Sequence, residues 1–565
     1  MPVLNCVASR GLPIFVLAML LGCTRPAADF VFLNGAVYTV DADRNWAEAV
    51  AVLDGRIVLV GKDEEVRHLI GSATEVIDLD GRMLMPGFHD SHMHPMAAGT
   101  RIHRCQLQQL DWPGEVLQRL ADCAAQLDDG EWLRGLGLDE GLFDDGQLRL
   151  AWLDKIAPDH PAVITSNTGF SIWTNTAGLA AAGFDSSSPD PDKGILGRDP
   201  QSGELTGVLL GTAGSRLYDM LPDYSSDELR EAISFATDMA HRYGITFSSE
   251  AKVTPQVWQA YVQADQAGEL GLRIEGSLFW DFERGVEQTT ELMQLRDSTP
   301  GRRFRANTVK IFVDGGSLNG AALLLEPYNG TTDDQGISKA TPQQLNEIAR
   351  LLDAEGFQLH FHALGDRAVR QALDAVEAAI AVNAQRERRH QVAHLALIAP
   401  ADLPRFVELG VAANIQPLWA YRGPEHVSRS AALGPDRTAR MLQFRTLFDS
   451  GAHVVAGSDW ISESMNPLFG IQVAVTRQPP NNAGPAWIPE ERTTLEQMLA
   501  AYTINGARIV GLEKETGSIE IGKAADLIVL DGNLFEIDPM QIAQTRVVLT
   551  MLDGQVEFRD LANAN

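Results

Sequence analysis

The chain has 565 residues, 45% hydrophobic and 21% charged, an ordinary globular composition with room for a large core and more than one domain. Its 46 Lys+Arg stand against 75 Asp+Glu, which argues against a nucleic-acid partner, because polyanion binding needs a basic footprint. The plain reading of the acidity is a well-hydrated surface.

At the N-terminus, Arg10 precedes the apolar run Gly11–Leu21, and Gly22-Cys23 follows. The run is too short for a membrane span and fits the apolar region of a signal peptide over residues 1–22. Leu20-Leu21-Gly22-Cys23 resembles a bacterial lipobox, which implies that Cys23 is lipidated and becomes the mature N-terminus. The alternative is an ordinary secretory signal that contains a cysteine. Acyl chains on one residue hold a soluble domain at a membrane, with no other membrane contact. Thr24, where Asp would retain the protein at the inner membrane, implies by the same resemblance the periplasmic face of a Gram-negative outer membrane. Beyond Cys23 only Cys105 and Cys123 remain, so count and spacing exclude Cys₄ or Cys₂His₂ structural zinc. An oxidising compartment permits these two to pair, but sequence gives no distance between them.

Residues 28–86 read as short strands and turns. Phe30–Val40 is apolar around Asn34-Gly35, and Ala49–Leu53 with Ile57–Val60 flanks the hairpin signal Asp54-Gly55. Residues 510–560 show the same pattern, with Ala525–Leu530, then Val547–Leu552 and Val556–Phe558 around Asp553-Gly554. Both ends of the mature chain are therefore expected to share one small β-sandwich. Between them, over 87–509, strands and helices alternate as parallel βα units. Eight strand candidates end in polar residues: Met83–His94, Ile245–Glu250, Leu272–Trp280, Thr308–Asp314, Phe357–His362, Gln391–His394, Val411–Gln416 and His453–Asp459. One intervening helix, Asp366–Ala384, carries Val369, Leu373, Val376 and Ile380 on one face. The fold class is α/β, a (β/α)₈ TIM-type barrel whose chemistry belongs at the strand ends. The gap after the first strand is too long for one helix, so about 100–240 reads as an inserted subdomain over the barrel mouth.

His92-Met93-His94 places two imidazoles on one side of a strand, able to face one metal. Alone the pattern is weak; its context Pro86-Gly87-Phe88-His89-Asp90-Ser91-His92-Met93-His94 resembles the PGF-x-D-x-H-x-H opening of the amidohydrolase superfamily. Later motifs follow in order: Val309-Lys310-Ile311-Phe312-Val313-Asp314-Gly315, His362-Ala363-Leu364-Gly365-Asp366-Arg367-Ala368, His394, Ile415-Gln416-Pro417 and Gly457-Ser458-Asp459-Trp460. The set resembles amidohydrolase family 3, the branch of N-substituted formamide deformylases. The resemblance implies a divalent metal site of one or two ions, zinc before others, held by His92, His94, His362 and His394. It makes Asp459 both ligand and proton shuttle, and Lys310 a further ligand open to carboxylation and bridging. His360 shares a strand face with His362 and is the rival fifth-strand ligand. Lys310 could instead pair with a buried carboxylate, and Asp459 could be a helix cap.

Relatives carry S-x-D-G-H-S-x-W-x-N in the inserted region, where this chain has Thr168 for the aspartate and Phe170 for the histidine. After Gln416-Pro417, Trp419 replaces a frequent histidine. Phe170, Trp173, Asn175, Gln416 and Trp419 are the substrate-pocket candidates, and the added rings favour an apolar or aromatic substrate group. The implied activity is hydrolysis of a C–N bond, an amide, formamide or cyclic amide of a small molecule. Ester, lactone or carbamate hydrolysis would use the same site. A non-catalytic, surface-anchored binding lipoprotein is the rival class, but it has no need of a water-activating base. Self-association is left open.

Overall fold

The computed structural model describes residues 27–561 apart from 144–147, 168, 170, 193, 317, 319, 424, 425, 482 and 483. The segment 1–22 and Cys23 lie outside the described residues. Among the described residues, no helix is long and apolar enough to cross a membrane.

The centre is an eight-stranded, all-parallel sheet wound into a barrel. Its strands in chain order are Phe88–Met93, Ile245–Val253, Arg273–Phe279, Phe304–Phe312, Gln358–Ala363, Gln391–His394, Ala412–Ile415 and Val454–Ala456, each paired with the next. The stretch read as one strand from Met83 to His94 is two. Met83–Pro86 belongs to the sandwich, and the chain turns at Gly87 into the barrel. The fourth strand begins at Phe304 rather than Thr308. Helix Asp366–Val382 buries Val369, Leu373 and Val376 against the barrel, as its spacing dictates, and stops short of Ala384.

The eighth and first strands close the ring through a seam. The Asp459 amide donates to the His92 carbonyl at 2.7 Å, and the His94 amide to the Trp460 carbonyl at 2.7 Å. Asp90 accepts from the Ser458 amide at 3.0 Å. Gly457 makes this approach possible, since a Cβ there would meet the His92 backbone nitrogen at 2.5 Å.

Both chain ends build the sandwich. One sheet orders Arg56–Gly61, Ala49–Leu53, Phe30–Leu33 and Glu75–Asp78. The other orders Gln555–Arg559, Val547–Leu552, Leu527–Leu530, Met83–Pro86, Ala36–Tyr38 and Trp46–Ala47, so strands from the two ends of the sequence pair directly. Phe32, Val50 and Ile77 of the first sheet pack with Leu84, Val529 and Met551 of the second. Both hairpin turns use the expected geometry, with φ of 50° at Asp54, 74° at Gly55, 51° at Asp553 and 75° at Gly554. They abut: a Cβ on Gly55 would lie 2.6 Å from the Asp553 carbonyl oxygen. Arg273 at the base of the third barrel strand pairs with Asp526 at 3.0 Å and also with Asp553, fastening the sandwich to the barrel.

After the first barrel strand the chain enters a second six-stranded sheet, from Cys105–Gln106 to Leu205–Gly211, with its own apolar core. Cys105 and Cys123 form a disulfide with their Cα atoms 6.0 Å apart. Helix Ser226–Arg242, capped by Ser225 and Glu228, buries Leu229, Ala232 and Ile233 in the barrel core. The final part of the stretch 100–240 is thus barrel layer rather than insertion.

The abutting turns predict a difference between two glycines of equal backbone strain. Gly55 and Gly268 have φ of +74° and +73°, but nothing lies within 4 Å of a Cβ on Gly268. Gly268→Ala should cost about 1 kcal/mol of backbone strain. Gly55→Ala adds a collision with backbone and should cost about 2–4 kcal/mol. Thermal unfolding of the two variants side by side checks this; equal shifts would show that the turns do not interlock.

Candidate active site

Six residues borne on the barrel strands or just beyond them line one cavity of about 760 Å³: His92, His94, Lys310, His362, His394 and Asp459. His92 lies in the first strand and His94 directly follows it; Lys310 lies in the fourth, His362 in the fifth and His394 in the sixth. Asp459 follows the eighth. His394 and Asp459 both adopt left-handed backbone, with φ of 79° and 53°. That costs a non-glycine residue about 1–2 kcal/mol, and such strain gathers at functional sites.

Asp459 Oδ1 lies 3.4 Å from His92 Nε2 and 3.3 Å from His94 Nε2. One ligand atom from each of these three residues falls within 4.8 Å of the others. Lys310 Nζ is 3.3 Å from His92 Nε2. The His394 ring centroid is 4.7 Å from that of His92 and 4.5 Å from that of His362.

Outer partners hold the imidazoles. His362 Nδ1 donates to Asp314 Oδ1 at 3.0 Å. The Asp314 carboxylate also accepts from the amides of Leu323 (3.1 Å), Leu364 (3.1 Å) and Gly365 (2.9 Å). His394 Nδ1 donates to Gln416 Oε1 at 3.0 Å. Glu250 Oε1 lies 3.7 Å from His94 Nδ1, while its Oε2 accepts from the Met96 amide and the Tyr261 hydroxyl at 2.9 and 3.1 Å. With Nδ1 engaged in this way, the Nε2 lone pairs of His362 and His394 are left free, the arrangement found behind metal-binding histidines.

Burial drives His92 and His394 well below the ordinary imidazole range, so both are neutral, the form that ligates. Burial also brings the Lys310 amine down to about 7, against the attraction of Asp459. For Asp459 burial favours the neutral acid. The hydrogen bond from His94, the adjoining His394 ring and the charges of His94 and Lys310 outweigh it and hold the carboxyl at about 2, ionised. His94 is pulled down by burial but raised on balance by Asp459 and Glu250. Imidazoles around one buried, ionised carboxylate are the donor set of a borderline divalent cation.

The pocket candidates separate. Trp419 lines the cavity, its ring stacked on His394 at 5.3 Å and 3°. Gln416 sits behind His394 and orients it rather than meeting substrate. Trp173 is buried in the core of the insertion. Asn175 caps helix Thr176–Ala181 and donates to the carbonyls of Ala157 and His160. Both are structural, because the motif that suggested them folds inward here. Phe170 lies outside the described residues. None of the described residues from 98 to 309 borders the cavity; its apolar wall comes from Phe312, Leu318, Leu364, Met441 and Ile461. His360 is fully buried, off the cavity wall and behind His92. Asp459 caps no helix, and Lys310 has no carboxylate within ion-pair distance among the described residues. Sequence reading assigned no role to Asp314 or Glu250, although one stands in the fourth-strand motif and the other ends a strand candidate.

A model of the amidohydrolase family matches residues 75–558. The YtcJ protein of Bacillus subtilis (strain 168), a putative amidohydrolase by name, is 30% identical, over 94% of this chain and 99% of its own length. The N-substituted formamide deformylase of Arthrobacter pascens is 27% identical, over 94% and 98%. Among solved structures, an uncharacterized metal-dependent hydrolase from Pyrococcus furiosus shares the fold, with a TM-score of 0.74 at 22% identity, over 90% of this chain and 99% of that one.

The Asp314 carboxylate generates a prediction. Asp314→Ala strands three buried amides and frees the His362 ring. Each buried unsatisfied donor costs about 1–3 kcal/mol, and loss of such an outer partner costs about 10–100-fold in metal affinity. Stability should fall by about 2–5 kcal/mol, allowing for relaxation. Denaturation and zinc-chelator competition on one preparation test both expectations, and an unchanged zinc affinity would remove Asp314 from the site.

Proposed function

The chain belongs to the amidohydrolase family, and on that footing we propose that it is a metal-dependent hydrolase that cleaves a non-peptide C–N bond of a small molecule, an amide, formamide or cyclic amide. The observation that carries the reading is Asp459 Oδ1 within 3.4 Å of two imidazole Nε2 atoms, on the wall of the cavity at the barrel's strand ends. His92, His94, Lys310, His362, His394 and Asp459 would hold one or two ions, with zinc suited to the donors. Such an ion, when bound, lowers the pKa of a water toward ~7 and polarises the scissile carbonyl.

The chain's own groups supply the rest. Asp459, ionised in its buried setting, takes a proton from the attacking water and returns it to the departing nitrogen. His362 and His394 cannot take that part while their Nε2 atoms are committed as ligands and their Nδ1 atoms to Asp314 and Gln416. In its neutral form the Lys310 amine can add carbon dioxide with loss of a proton to solvent, and the resulting carbamate would offer its oxygens as further ligands. The cavity volume suits a molecule of drug size. Trp419, Phe312 and Met441 favour an apolar or aromatic group on it.

The protein is further proposed to be an exported lipoprotein, held by Cys23 at the periplasmic face of a Gram-negative outer membrane. Support comes from the lipobox-like run before Cys23 and from the Cys105–Cys123 disulfide, which suits an oxidising compartment.

Three variants test these readings. Asp459→Asn keeps shape and an oxygen donor but loses the base, so kcat on a chromogenic amide and ester panel should fall about 10²–10⁴-fold while metal stays bound. Near wild-type turnover by a metal-loaded Asn variant would refute the shuttle. Lys310→Ala in the same series should lose at least one metal equivalent if the lysine bridges. Cys23→Ala should move the protein out of the detergent phase or block its processing; unchanged partitioning would argue against lipidation.

A further inference from the structure

His360 is fully buried and has no place on the cavity wall, yet both its ring nitrogens are engaged. Nε2 lies 2.8 Å from His92 Nδ1, and Nδ1 lies 3.0 Å from Ser277 Oγ. Ser277 belongs to the third barrel strand, His360 to the fifth and His92 to the first. The three side chains therefore run across the barrel interior and end on an imidazole whose far nitrogen faces Asp459.

A line of this kind has two polarities. In one, Ser277 Oγ–H donates to His360 Nδ1, and His360 Nε2–H donates to His92 Nδ1. The proton of His92 then sits on Nε2, where it hydrogen-bonds toward Asp459 and blocks the lone pair. In the other, His92 Nδ1–H donates to His360 Nε2, and His360 Nδ1–H donates to Ser277 Oγ. Every ring is neutral in both, and only the second leaves His92 Nε2 bare. Ligation at His92 and the polarity of the line are thus one equilibrium.

We propose that His360 is a positioning residue that accepts the Nδ1 proton of His92 and so holds that ring in its metal-ligating tautomer, with Ser277 as the terminal acceptor. The proposal rests on the reading that His92 binds a cation. It also gives the first histidine of His360-Phe361-His362 work distinct from that of His362, which lines the cavity and leans on Asp314. Without His360, the Nδ1–H of His92 would be a buried donor lacking a partner, an unfavourable state. The ring would escape it by moving its proton to Nε2, the tautomer that cannot ligate.

The test uses the full-length protein stripped of metal and titrated with cobalt(II), read by chelator competition and by the visible spectrum of the bound ion. His360→Ala should weaken cobalt binding about 10–100-fold and shift the visible bands. His360→Gln, whose amide oxygen can accept from His92 Nδ1, should recover most of both. Ser277→Ala, a smaller change that leaves the barrel filled, should give a partial loss and serves if the alanine variant at 360 does not fold. Cobalt affinity and spectrum unchanged in His360→Ala, or in Ser277→Ala where only that variant folds, would overturn the proposal. So would a glutamine variant that folds but recovers neither. Wild-type protein that binds no cobalt would overturn the metal-hydrolase reading as well, whereas tight wild-type binding matched by the variants would sink this proposal alone.

Discussion

The Asp459 amide donates to the His92 carbonyl, and the His94 amide donates to the carbonyl of Trp460. These two bonds join the last barrel strand to the first, and the site depends on them. They bring a carboxylate from one end of the barrel's sequence against two imidazoles from the other. They also hold Asp459 in a left-handed backbone conformation, uncommon outside glycine. Gly457 is part of the same constraint, because any side chain there would push the strands apart at the point where the ligands meet. Closure of the barrel and assembly of the site are a single event.

Around that join, burial and pairing divide the labour. Burial favours the neutral form, and it prevails for His92 and His394 on the cavity wall and for His360 behind it. Asp459 escapes because His94 donates to it and the charges of His94 and Lys310 lie close by. The contrast matters chemically: an imidazole must be neutral to ligate and a carboxyl must be ionised to accept a proton, and the same low-dielectric pocket provides both. Asp314 and Gln416 add direction by holding the Nδ1 sides of His362 and His394.

Much of this was legible in the sequence because the relevant signals are local or ordered. Asp54-Gly55 and Asp553-Gly554 demand left-handed turns, and they make them. Apolar runs ending in His94, His362, His394 and Asp459 identify barrel strands with chemistry at one end. What could not be read depends on three-dimensional depth. His360 and His362 share a strand face by the period of two, and only the stagger of the barrel sends one behind His92 and the other to the cavity. Trp173 and Asn175 sit in a recognisable motif, yet the insertion folds them into its own core. Glu250 acquires its role from Met96 and Tyr261, which meet it only in the assembled barrel. The Met83–His94 run hid a change of sheet at Gly87: Pro86-Gly87 is a turn signal, but apolar residues continue on both sides of it, so the run reads as one strand.

The interlocked Asp-Gly turns bear on the order in which the molecule is put together. Met83–Pro86 finds one of its two neighbours in Leu527–Leu530, which in turn needs Val547–Leu552. Synthesis delivers those partners last. Until they emerge, an early strand keeps a bare edge, and the four-stranded sheet lacks the layer that covers Phe32 and Val50. Contacts between such distant stretches of chain are slow to form. The sandwich can therefore close only after the C-terminal strands emerge, a clasp that waits on the end of synthesis, and until then its early strands keep an uncovered apolar face.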